Sequence, residues 1–187
     1  METQTQEDVK SMMAMLLDAA KKTRESYLYS GDEKMLPMAY IYNEHNITVM
    51  ALSWKDDKEK YQMAAFANSE ARKARAKSLS FVTDARWVKS DKFCEYYKLD
   101  PPTPENIDAY RRDYHRIRAA HGGEMKNLPR ELWEEAVVVY TNGPGIPVQI
   151  QMAPYKEGPD DTIEWLPPTP FSPDSRQRSD LLTDWWS

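Results

Sequence analysis

The side chains able to make or break bonds are few in this 187-residue chain and stand far apart. A nucleophilic pair would need the single cysteine, Cys94, beside His115 or His121, because a thiolate forms near neutral pH only where a base or a positive charge lowers its pKa. Cys94 lies in Lys92-Phe93-Cys94-Glu95-Tyr96-Tyr97, and such neighbours suit a cysteine packed as a small hydrophobe. Three histidines and one cysteine at scattered positions make no zinc motif. Carboxylates for a magnesium site are available at Asp56, Asp57, Asp84, Glu131, Glu134 and Glu135, with Asp84 and Glu134 the pair to watch. Acids beside strands and at helix starts ordinarily cap or solvate those ends. Gly143-Pro144-Gly145 has a strand on either side and no helix after it, which makes it a hairpin turn and not a phosphate cradle. No residue is therefore assigned as catalytic, and no metal or cofactor is expected. An enzyme with an unrecognised carboxylate site ranks behind the binding functions.

Two stretches point to binding. Tyr110-Arg111-Arg112-Asp113-Tyr114-His115-Arg116-Ile117-Arg118 interleaves cations with aromatic rings, as a nucleic-acid surface does, and on a helix Arg111, His115 and Arg118 share one face. Against that reading, Glu105, Asp108 and Asp113 are near enough to pair with these arginines, and the chain carries a net charge of -5. The second stretch is the end of the chain, Ser179-Asp180-Leu181-Leu182-Thr183-Asp184-Trp185-Trp186-Ser187. Leu181, Leu182, Trp185 and Trp186 are costly to leave in water, so they dock on their own domain or on another protein. If helical, they line one side of a groove-binding segment.

The elements that must position these residues follow from periodicity. Val9, Met12, Met13, Leu16, Leu17 and Ala20 recur at helical spacing and predict an amphipathic helix over residues 6–29. Two strands, 37–42 and 47–54, flank Asn43-Glu44-His45-Asn46 as a hairpin; both faces of the second are apolar, as in a covered strand. Ala64, Ala67, Ala71 and Ala74 form a small-residue stripe on a helix over 57–77, suited to close approach to a sheet. A strand is predicted over 78–88. The pattern then loosens over 89–129, an insertion with a short helix at 105–120 that Thr103 caps ahead of Pro104. Strands return at 135–141 and 146–153, with a last short one at 162–166. Repeated prolines then end the domain. The expectation is an α+β fold in the order α-β-β-α-β-(insertion)-β-β-(β)-tail. Its mostly antiparallel sheet has five or six strands, with the helices on one face. Residues 1–168 form one domain, and 169–187 a flexible or docking tail.

That element order resembles the profilin-like and roadblock-like α/β folds. The run Lys77-Ser-Leu-Ser-Phe-Val-Thr-Asp-Ala-Arg-Trp87, followed after the insertion by Trp133-Glu-Glu-Ala-Val-Val-Val-Tyr140, resembles a pattern in uncharacterised bacterial and phage proteins over about residues 64–150, with Arg86 and Trp87 departing slightly from it. The resemblance implies a phage or bacterial setting and lends no activity. The longest apolar runs fall far short of the roughly 20 residues that span a bilayer. With a polar N-terminus and one cysteine, they give a cytoplasmic location and no membrane partner as the expectation. The leading functional expectation is a non-enzymatic interaction or regulatory protein acting on a host or viral protein. A nucleic-acid-binding accessory protein using Arg111, Arg112, His115, Arg116 and Arg118 is the alternative.

Overall fold

The computed structural model describes residues 6–30, 35–55 and 57–168. The apolar stripe folds as predicted into α1 (Gln6–Tyr29), and the hairpin into β1 (Met38–Tyr42) and β2 (Ile47–Ala51). Asn43 closes that hairpin: its Oδ1 accepts the backbone N–H groups of His45 and Asn46 at 3.0 and 2.9 Å, an Asx turn. The alanine stripe forms α2 (Asp57–Lys73), followed by β3 (Ser78–Val88). Two further helices, α3 (Ser90–Tyr97) and α4 (Ile107–Ala120), precede β4 (Trp133–Gly143), β5 (Ile146–Glu157) and β6 (Ile163–Trp165). The six strands make one antiparallel sheet in the order β2-β1-β3-β4-β5-β6, so the α+β expectation holds. Among the described residues no helix is long and apolar enough to cross a membrane.

The expectation of helices on one face is corrected. Side chains alternate across a strand, so each strand offers two separate sets of contacts. Buried residues of α1 (Val9, Met13, Leu16, Leu17) cluster with Val82, Val137, Val139, Ala153 and Tyr155, joined by Met38 and Tyr40. Those of α2 (Ala64, Ala67, Ala71) cluster with the intervening positions Ala39, Ile41, Leu79 and Phe81. The two helices therefore cover opposite faces. The physical reason is legible in hindsight: β1 and β3 are apolar at both parities, which a sheet covered on one face does not require.

The chain gathers into two compact units, one comprising the described residues up to Asp84 and from Val137 onward, the other Ala85–Ala136. The segment read as an insertion lies within the second. In the first unit, Pro144-Gly145 makes the two-residue turn between β4 and β5, with Gly145 at φ 72°, which glycine tolerates at the position after proline. Gly143 is required for a different reason: a Cβ there would collide with the carbonyl oxygen of Lys77 and lie 3.2 Å from the Cα of Ser78.

Candidate functional site

The second unit holds most of the residues singled out for chemistry. Phe93 on α3 is its centre, buried with Leu128, Leu132 and Trp133 and edged by Tyr97, Tyr110, Tyr114 and Ile117. Rings meet at tilted or edge-on angles, Phe93 lying 4.8 Å from Tyr97 and 5.4 Å from Tyr114. Cys94 is buried beside it, and its S–H points to the carbonyl of Asp100 at 3.8 Å. Burial first, then Asp91 and Asp100, pushes the thiol pKa up, opposite to what a nucleophile needs. His121 Nε2 instead meets the Tyr97 hydroxyl at 3.0 Å. No Cys94–His121 hydrogen bond is made among the described residues.

Tyr110, Tyr114 and Ile117 turn α4 toward this aromatic core, which leaves Arg111, Arg112, His115 and Arg116 exposed and Arg118 partly so. Arg111 lies 3.6 Å from Asp108, and Arg116 lies 2.8 Å from Asp113. Arg118 donates to the Gly123 carbonyl through Nε at 3.1 Å and Nη2 at 2.5 Å, and its guanidinium lies over the Tyr114 ring. Residues 85–136 carry ten basic and ten acidic side chains, so the helix sits in no positive field of the kind that attracts a phosphate backbone.

The strongest polar cluster was not anticipated. Arg24 extends the apolar stripe of α1 one turn beyond Ala20 and is 0% exposed. Its Nε donates to the Tyr155 hydroxyl at 3.0 Å and lies 3.3 Å from Asp84 Oδ2, while Nη2 donates to Glu157 Oε1 at 2.6 Å. Asp84 also accepts the backbone N–H of Met35 at 2.8 Å. Burial alone would lower the guanidinium pKa; the Tyr155 hydrogen bond, then the charges around it, more than offset this and leave it raised. Asp84 is thus committed to holding α1, β3 and the lead into β1 together. Glu134 belongs to the other unit, where it pairs with Lys89 at 2.8 Å. Asp56 lies outside the described residues, among which no three His, Cys, Asp or Glu side chains gather as metal ligands. The one signal for the cluster in the sequence was an arginine at a stripe position of an otherwise apolar helix face.

A further surface stands at the rim of the sheet. β2 is an edge strand, and its expected cover is absent on one side: Ile47 is 56% exposed and Val49 49%. Both stand on the α1 face, opposite Tyr42 and Tyr40 of β1. The backbone parity is fixed by two bonds, Asn43 N–H to the Asn46 carbonyl at 3.1 Å and Leu52 N–H to the Pro37 carbonyl at 2.8 Å. Alternate residues of an antiparallel strand point their peptide groups to alternate sides. Thr48 and Met50 therefore face β1, and Ile47, Val49 and Ala51 present their N–H and C=O groups outward. Residues 46–53 contain no charge and no proline, the two usual means of blunting an edge. At the opposite rim β6 is three residues long, with Pro159 before it and Pro167 and Pro168 after. Leu181, Leu182, Trp185 and Trp186 lie outside the described residues.

In comparisons with family models, curated proteins and solved structures, nothing matches the chain.

Proposed function

We propose that this chain is a non-enzymatic interaction protein that binds another protein through the outer edge of β2. The observation that supports this reading is the edge itself: five residues of regular strand, outward peptide groups at Ile47, Val49 and Ala51, and apolar side chains beside them. An incoming strand gains main-chain hydrogen bonds from the first and side-chain contacts from the second. The ionisable groups that would serve a catalyst are otherwise engaged: the Cys94 thiol is buried with its pKa raised, and Asp84 is bound by Arg24 and the Met35 amide. A regulatory role follows from binding alone. Leu181, Leu182, Trp185 and Trp186 are a second partner-binding element by composition.

The test is affinity capture from bacterial lysate with four forms: wild type, Val49→Lys, the Trp185→Ala/Trp186→Ala double variant, and a chain ending at Pro168. A protein retained by wild type and lost with Val49→Lys supports the edge. One lost only in the tail variants moves recognition to the tail. Retention of nucleic acid that disappears with Arg112→Ala and Arg116→Ala would favour the nucleic-acid reading instead.

A further inference from the structure

We infer that the strand received at the β2 edge is β2 of a second copy of this chain, paired antiparallel about Val49 so that two six-stranded sheets become one. This rests on the reading of β2 as a binding edge and names its occupant. The first argument is symmetry. An antiparallel strand pair has a two-fold axis, so an edge can complement its own copy only if its outward groups are placed symmetrically about one point. Ile47, Val49 and Ala51 are so placed. Val49 falls opposite Val49 of the second copy, and Ile47 opposite Ala51 of the second copy, each pair exchanging both backbone bonds.

The second argument is charge. Two chains of net charge -5 repel, and an edge bearing acids would add to that repulsion at contact range. Residues 46–53 bring no charge to the seam. Just beyond its ends stand Glu44 on one side and Lys55 on the other, both exposed. Antiparallel pairing about Val49 sets Trp54 of the second copy opposite Glu44, so Glu44 comes beside the second copy's Lys55 at each end of the seam. A copy paired in the parallel direction would instead set like charges side by side. The third argument is shape. Ile47 and Val49 stand on one face of the sheet beside Tyr40 and Tyr42, so pairing brings the two apolar ledges into contact along the α1 face.

Sedimentation velocity on the full chain tests this. Wild type should sediment at twice the 21.8 kDa chain mass at micromolar concentration. Val49→Pro removes the central outward N–H and takes no hydrogen bond from β1, and Val49→Lys places two ammonium groups opposite each other on the symmetry axis. Each should raise the dimer dissociation constant by about tenfold or more, with the α+β circular dichroism spectrum retained. Should Val49→Pro fail to fold, Val49→Lys carries the test. Hydrogen exchange adds a second readout: the amides of Ile47, Val49 and Ala51 should become protected as concentration rises. A wild-type monomer, with a captured partner still lost on Val49→Lys, overturns the second-copy assignment and leaves the edge reading standing. A dimer indifferent to both substitutions overturns the assignment and counts against the edge. Protection in a monomer that vanishes on truncation after Pro168 would make the tail the occupant and also overturn the assignment.

Discussion

Arginine meets carboxylate in both units of this protein, and the two settings differ in nearly everything but residue type. In the first unit Arg24 is sealed under α1 with Asp84, Tyr155 and Glu157. In the second, Trp133 lies between Arg86 and Arg130, whose guanidinium carbons stand 5.5 and 4.1 Å from its ring, and both arginines reach Glu135, at 2.8 and 3.8 Å. The side chain of Arg130 is 52% exposed. A buried charge is stabilising only while every partner stays in place, whereas a half-exposed one falls back on water when a partner leaves. The first cluster acts as a keystone for the fold; the second is a surface brace.

The largest effect should come from breaking the buried cluster. Arg24→Ala leaves two carboxylates without their guanidinium and should cost about 3–5 kcal/mol of unfolding free energy, read from urea denaturation. Against a total of roughly 5–15 kcal/mol that loss is severe. Tyr155→Phe removes a single neutral hydroxyl from the same place, and its expected cost is about 1–2 kcal/mol. On the surface brace, Arg130→Ala should cost no more than about 1 kcal/mol, with most of the change screened out by salt. If Arg130→Ala and Arg24→Ala proved equal, burial would not be what separates the two clusters.

Tyr42 gives a third setting, burial without a cation. Desolvation, then the neighbouring Tyr40, pushes its pKa up to about 12 from the ordinary 10.0. Above pH 10 the unfolded chain releases this proton while the folded chain keeps it, so its stabilisation is complete below pH 10 and is lost as the pH rises toward 12. Absorbance titration near 295 nm should show a late-ionising tyrosine that disappears in Tyr42→Phe.

The sequence was a good guide wherever apolar spacing was regular. The stripe from Val9 to Ala20 placed α1 at its observed bounds, and the β3 run from Ser78 to Val88 did the same. It was a poor guide where two elements compete for one pattern. α3 was missed because Phe93 and Cys94 point into the aromatic core while Glu95 and Tyr96 are exposed, and eight residues are too few to display a helical period. The binding edge was half visible: β2 was recognised as a strand, but only its place outside β1 reveals that its apolar ledge is uncovered. The Arg24 cluster joins residues more than 100 positions apart, and local spacing carries no trace of such a partnership.

The burial of Cys94 gives the molecule a built-in clock for its own opening. With one thiol in the chain, packed beside Phe93 and held in its unreactive protonated form, a thiol-specific reagent at neutral pH can react only in the moments when α3 lifts away. The labelling rate then measures how often residues 85–136 breathe, without introducing any probe.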